Sequence, residues 1–297
     1  PVRFARRDFL AADASGLIAA RLHAADGATR DTALVAPDGR EIALRAAPPR
    51  QPSAGRAAIV LSHGANGTFD GLGPLVTALS HDRWVFAPLH VDSEDHALHG
   101  AVPPAEVWRT RLEDMRLTLD HAVARLGDGG PIVAAGHSYG ALVAQALGGA
   151  TVMGQGARDA RVGAVVAISP PGPIPGFIGA EDWAKIAVPM LLTTGTADVL
   201  PMIAPTWQAH LASFEATRIA RSAAWVGRDV DHYFGRMIQR LRREAPDQAS
   251  QFEAAMHIVN RYIGAIAEGN GADARWLADA GPTRDFPNET HCFDWRD

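Results

Sequence analysis

The sequence predicts an α/β fold: a mostly parallel central sheet with helices on both faces and an antiparallel pair at its N-terminal edge. Three observations carry this. Short apolar runs at residues 57–61 (AAIVL), 131–135 (PIVAA) and 162–168 (VGAVVAI) lack the alternation of a half-solvated strand, as strands covered on both faces do. Stretches with apolar residues at helical spacing separate these runs. Finally, residues 131–149, PIVAAGHSYGALVAQALGG, pass from one apolar run to the next through GHSYG with no polar linker between them.

In chain order, RDTALVAPDGREIALRA (30–46) holds two strand-like stretches around Pro37-Asp38-Gly39, a hairpin signature that supplies the antiparallel edge. The strand at 57–61 runs into Ser62-His63-Gly64-Ala65-Asn66-Gly67. A helix at 69–80 and a strand at 84–88 (WVFAP) follow, then the polar loop HVDSEDHALHGA (90–101). Pro103-Pro104 opens a helix, proline being suited to a first turn, with Trp108, Leu112, Met115, Leu119, Val123 and Leu126 as its apolar face. Strands at 131–135, 162–168, 189–194 and 217–226, the last of the sheet, complete the set. A closing helix carries Phe252, Met256, Val259, Ile263 and Ile266. Residues 30–268 thus form one domain, without internal repeat or dividing linker, between an N-terminal arm (1–29) and a C-terminal tail (269–297) laid on its surface.

Bulk properties narrow the function. A chain of 297 residues, 47% hydrophobic and 21% charged, is ordinary for a globular enzyme. Its formal charge of −5 argues against a nucleic-acid partner, and no apolar run reaches the roughly 20 residues that span a bilayer. Cys292, the single cysteine, excludes an intrachain disulfide or a multi-cysteine metal site. Residues 5–10 (ARRDFL) resemble a twin-arginine export motif, which would place the protein outside the cytoplasm. Asp13 and Arg21 interrupt the weakly apolar stretch behind it, as in a surface arm of a cytoplasmic protein. Both readings stand.

The chemistry centres on Gly136-His137-Ser138-Tyr139-Gly140. Small residues on both sides of Ser138 indicate crowded backbone at a sharp strand-to-helix turn, which strains the apex residue and projects its side chain outward. Reactive groups in open α/β sheets sit at the carboxyl ends of strands. Asp198 follows the strand at 189–194, and His232 follows the strand ending at Val226. Each has a structural alternative: Ser138 as a turn serine, Asp198 as a helix cap, His232 as a surface histidine. Asp229 and Asp231 are rival acids, but both lie too near His232 in sequence to reach it from a separate strand end.

The GHSYG turn, the order Ser138, Asp198, His232, and the His63-Gly64 pair after the third strand together resemble the α/β-hydrolase superfamily. The resemblance covers about residues 30–268. Within the superfamily the chain looks most like small serine esterases of the dienelactone-hydrolase-like and polyester-hydrolase-like branch, although dienelactone hydrolases proper carry cysteine where this chain has Ser138. It implies an α/β-hydrolase fold and a triad in which His232 takes the Ser138 proton and Asp198 fixes the imidazole. The backbone N–H groups of Ala65 and Tyr139 are the matching oxyanion donors.

Beside the nucleophile, His137 is expected to be packed or pocket-lining. The segment at 169–188 holds four prolines in its first eight residues. It is too short and broken for a multi-helix lid, leaving Phe177, Ile178 and Trp183 as an apolar rim. His90, Asp92, Glu94, Asp95, His96 and His99 invite a metal reading, but their spacing matches no tight ligand pattern. A solvated loop at the mouth of the site, with no metal, is expected. Arg236, Arg240, Arg242 and Arg243 are expected on a solvated face. The function expected is hydrolysis of small to moderate carboxylic esters through an acyl-enzyme, without cofactor. The alternatives are a peptidase, lactonase, thioesterase or acyltransferase with the same triad, or a hydrolase-fold binding protein that has lost activity.

Overall fold

The Pro37-Asp38-Gly39 turn joins β1 (Arg30–Val35) to β2 (Glu41–Ala47), paired antiparallel with Leu34 opposite Ile42. The computed structural model describes residues 29–51, 56–127, 130–239 and 244–297. The Arg6-Arg7 segment and Arg240, Arg242 and Arg243 lie outside the described residues. After the hairpin come β3 (Ala58–Ser62), α1 (Phe69–Leu79), β4 (Trp84–Pro88), α2 (Pro104–Leu126), β5 (Ile132–His137) and α3 (Tyr139–Gly148). A small hairpin, β6 (Thr151–Val152) and β7 (Gln155–Gly156), precedes β8 (Val162–Ile168), α4 (Ala180–Trp183) and β9 (Met190–Gly195). A 3-10 turn at Trp207–Leu211 leads into α5 (Ala212–Ala216) and β10 (Ala223–Gly227). The chain then forms α6 (Ala249–Ile266), α7 (Gly271–Ala278), α8 (Gly281–Asp285) and β11 (Thr290–Trp295).

Among the described residues, nine strands make one sheet in the order β1-β2-β4-β3-β5-β8-β9-β10-β11. The run from β4 to β10 is parallel, and β1, β2 and β11 are antiparallel to their neighbours. Successive strand residues feed opposite cores, as the two-residue period requires. Val60, Ala134 and Val165 pack with Met115 and Leu119 of α2 and with α3, whereas Ile59, Val133 and Val166 pack with Leu72 and Leu75 of α1 and with α6. Thr68 caps α1, its hydroxyl accepting from the Gly71 N–H at 3.0 Å.

Two expectations are corrected. The last strand is not the one ending near Val226, because residues 269–297 are not a tail on the surface. They form α7, α8 and β11, and β11 pairs antiparallel along β10, with Phe293 opposite Trp225. The physical reason is the open edge of β10, whose backbone groups need partners. Trp225 Nε1 also donates to Thr290 Oγ1 at 2.9 Å, fastening the strand. The second correction concerns α2, whose buried face is rotated from the apolar pattern. Val123 is exposed, while Arg111 and Asp114 are completely buried beside Trp108 and Met115. Two charges inside a core need partners there, and those partners lead to the site.

Candidate active site

Ser138 stands between β5 and α3 with φ 53° and ψ −118°, a strained conformation for a residue with a side chain. Its flanking glycines are sterically required. A Cβ on Gly136 would overlap the Gly140 backbone, and one on Gly140 would overlap the Ser62 carbonyl of the neighbouring strand. The turn therefore presses α3 against β3 and lifts the Ser138 hydroxyl into a cavity.

His232, in the turn after β10, places Nε2 2.9 Å from Ser138 Oγ and Nδ1 2.8 Å from Asp198 Oδ1. The hydroxyl is set to donate to Nε2, and the Nδ1–H donates to the carboxylate. Asp198, just beyond β9, also accepts the Thr194 hydroxyl on Oδ2 at 2.9 Å. Burial alone would raise the Asp198 pKa, but contacts from His210 and His232 outweigh it and hold the group well below the usual carboxylate range. The rival acids do other work. Asp231 Oδ1 accepts the backbone N–H groups of Tyr233 and Gly235, and Asp229 is exposed. His137 donates Nε2–H to the His232 carbonyl at 2.7 Å. Burial, reinforced by nearby His232, pushes its pKa down to about 3, so it is a neutral brace beneath the site.

A cavity of about 750 Å³ opens above Ser138, lined by Ala65, Tyr139, Leu142 and Phe177 among others. Of the three expected rim residues, Phe177 alone lines it. Ile178 and Trp183 are buried in the core, where Trp183 Nε1 donates to Gln145 Oε1 at 2.9 Å. The indole N–H needs an acceptor, and Gln145 on α3 supplies one inside the protein. Met153, in the β6–β7 turn, donates its N–H to the Phe177 carbonyl at 2.8 Å and forms the neighbouring wall.

The loop after β4 is not simply solvated. His90 and Ser93 are fully buried, Asp92 is half-buried, and Asp92 and His99 both line the cavity. His90 Nε2 lies 2.9 Å from Ser62 Oγ and its Nδ1 2.8 Å from Asp114 Oδ2. Burial, with Arg111 nearby, drives the His90 pKa well below that of an ordinary histidine, so the ring is neutral. This is a second Ser-His-Asp chain, but all three members have zero exposure. No substrate reaches it.

Its neighbour Arg111 clamps the loop after β3. The guanidinium donates to the carbonyls of His63 (2.6 Å) and Gly64 (2.9 Å) and forks onto both oxygens of Asp92 at 2.8 Å. Burial would raise the Asp92 pKa, and Arg111 instead brings it down to about 2. His63 Nδ1 donates to the same Gly64 carbonyl at 2.7 Å, while its Nε2 accepts the His90 N–H. In a planar trans peptide the N–H points opposite the C=O. These two donors and the Gly67 N–H (3.1 Å) hold the Gly64 carbonyl inward and so turn the Ala65 N–H toward the cavity. The Tyr139 N–H lies in the first turn of α3, where it has no carbonyl one turn back. Such a pair of N–H groups beside a serine can bind a developing oxyanion.

Asp198, His210 and His232 also form a group whose donor atoms lie close enough to converge on a metal ion. Both histidine nitrogens, however, sit 2.8–3.0 Å from the same carboxylate oxygen. That is direct contact rather than the wider spacing of ligands about an ion at roughly 2.0–2.2 Å from each. Sequence reasoning did not single out Arg111, Asp114, Ser62 or His210. Arg111 and Asp114 were the only detectable ones, as charges interrupting the apolar face of a helix.

The alpha/beta hydrolase family model matches residues 59–295. The chain belongs to that family. No curated protein matches at a significant level. Among solved structures, Thermogutta terrifontis esterase 2 phosphorylated by paraoxon superposes with a TM-score of 0.57 at 16% identity, over 80% of this chain and 94% of that one. A protein from Klebsiella pneumoniae assigned as a dienelactone hydrolase gives 0.56 at 15% identity, over 78% and 98%. A puromycin-hydrolyzing peptidase of Mycobacterium tuberculosis gives 0.55 at 13% identity, over 81% of this chain but 39% of that one. At these identities the likeness concerns the fold. Among the described residues no helix is long and apolar enough to cross a membrane.

Proposed function

We propose that the protein is a serine esterase that hydrolyses carboxylic esters of small to moderate size through an acyl-enzyme, with Ser138 as nucleophile, His232 as base and Asp198 as its orienting acid. The observation that carries this reading is the hydrogen-bonded chain Ser138–His232–Asp198 at the floor of a largely apolar cavity. As Ser138 Oγ attacks the ester carbonyl, its proton passes to His232 Nε2, and the imidazolium is stabilised by Asp198. The tetrahedral oxyanion is received by the N–H groups of Ala65 and Tyr139. Collapse expels the alkoxide, which takes the proton from His232. Water then attacks the acyl-enzyme by the same route, releasing the carboxylic acid and restoring Ser138.

No step calls on a cofactor, so turnover is expected to survive EDTA. A chelator-sensitive enzyme restored by Zn²⁺ would reject this. The apolar walls favour a compact acyl or aryl group, since Phe177 and Leu142 offer contact area and no fixed charge. The direct test is a panel of p-nitrophenyl esters of graded chain length with a matching amide and thioester. The expected result is a higher kcat/KM for butyrate than for palmitate, and for the ester than for the amide. Preference for palmitate would show a long acyl channel, and preference for the amide a peptidase.

Arg111 is a positioning residue in this scheme. Arg111→Lys cannot reproduce contacts to two carbonyls and both Asp92 oxygens from one ammonium. Misaiming one oxyanion donor costs roughly 10²–10³ in rate. We expect a fall in kcat of that order with little change in KM, and a thermal melt to show the fold retained. Near-normal kcat in a folded variant would remove Arg111 from the account.

A further inference from the structure

We propose that His210 is a buried imidazolium that shares the Asp198 carboxylate with His232 and holds its Oδ1 in place for that base. This rests on the reading of Ser138, His232 and Asp198 as a triad. His210 lies in the 3-10 turn Trp207–Leu211, with zero exposure. Its Nδ1 is 2.6 Å from the Pro170 carbonyl oxygen and its Nε2 is 3.0 Å from Asp198 Oδ1. Both oxygens are acceptors only, the second because Asp198 is ionised. A neutral imidazole has one N–H and would set its remaining lone pair against one of them. Only the doubly protonated ring presents a hydrogen at each. The Nε2–H is angled off the line to Oδ1, so that contact is an ion pair more than a straight hydrogen bond. Burial opposes the charge on His210, and Asp198 and the Pro170 carbonyl outweigh it, raising its pKa above that of an ordinary histidine.

The consequence falls on His232. Its ring centroid is 5.9 Å from that of His210, and both rings contact one carboxylate oxygen. The other groups facing His232 are His137 from β5, which is neutral, Tyr233 in its own turn, and Ser138. Asp231 is turned to the backbone N–H groups of Tyr233 and Gly235. Asp198 is thus the negative charge that His210 and a protonated His232 must share. The His210 contact tethers Oδ1, which has to meet the His232 N–H.

The experiment has two arms. In the first, the rate at which a fluorophosphonate labels Ser138 is followed in the wild type, His210→Gln and His210→Asn. This readout requires the base but no knowledge of the natural substrate. Labelling is expected to slow by about ten- to a hundredfold in both variants, because Oδ1 loses its tether and meets the His232 N–H less well. An unchanged labelling rate in a folded variant overturns the proposal. In the second arm, ¹H–¹⁵N NMR of the wild-type ring nitrogens is expected to show both His210 nitrogens protonated at pH 7, where an ordinary histidine is mostly neutral. A neutral His210 at pH 7 overturns the proposal even if neither variant folds. Absence of any Ser138 labelling in the wild type would instead reject the triad reading, and the NMR arm would still decide the charge on His210.

Discussion

Asp198→Asn is expected to lower kcat by about 10⁴ while leaving KM little changed, as loss of the triad acid does when the wrong imidazole tautomer is stabilised. The carboxylate accepts from His232 on Oδ1 and from Thr194 on Oδ2, and His210 pairs with Oδ1 as an ion pair. An asparagine can turn an oxygen to only one side. With its amide on the Oδ1 side the asparagine confronts the His232 Nδ1–H and favours the wrong tautomer; turned the other way the Thr194 hydroxyl can accept from it, but no negative charge remains to stabilise the imidazolium. The substitution also strips the buried His210 of its counter-charge, and breaking a buried pair from one side typically costs about 3–5 kcal/mol. Asp198→Asn should therefore lower the melting temperature as well as kcat. Asp231→Asn is the control. Its Oδ1 accepts two backbone N–H groups, a task an asparagine oxygen also performs, so steady-state kinetics should show a small change. The reverse ranking would mean that Asp198 is not the acid.

Ser138→Ala is expected to remove about 10⁶ of turnover with p-nitrophenyl butyrate, the scale seen when a triad nucleophile is deleted. The fold should persist. Alanine keeps the Cβ that the strained φ of 53° already accommodates, and the flanking glycines still clear the Ser62 and Gly140 backbones. His232 loses one hydrogen-bond donor on Nε2 and keeps Asp198 on Nδ1. A folded variant with near-normal turnover would show that Ser138 is not the nucleophile.

The parallel strands, the hairpin and the turn at Ser138 were legible because each is written locally: continuous apolar runs, Pro-Asp-Gly, and two glycines around a serine. Asp198 and His232 were legible by their places after strands. The C-terminal edge strand was missed although Phe293 and Trp295, which pack on the core, stand two residues apart as on one face of a strand. Its few apolar residues made it resemble a surface tail. Ile178 and Trp183 were misplaced because a large apolar side chain near a site has no local mark of whether it faces the cavity or the core. Trp183 is decided by the distant Gln145.

The polar network around Arg111 and the partner His210 were illegible for a different reason. Each depends on contacts between residues far apart in sequence, such as Arg111 with His63 and Gly64 or His210 with Pro170 and Asp198. The chain Ser62–His90–Asp114 makes the same point in reverse. Residue types and hydrogen bonds alone cannot separate it from Ser138–His232–Asp198, and the difference is access. One serine opens into the cavity and the other is sealed.

That difference supplies the most direct test. Treating the folded protein with a fluorophosphonate and mapping the adduct by mass spectrometry should find a single modified residue, Ser138, with labelling abolished in Ser138→Ala. An adduct on Ser62 or any other residue, or an unlabelled Ser138 in the folded wild type, would contradict the account.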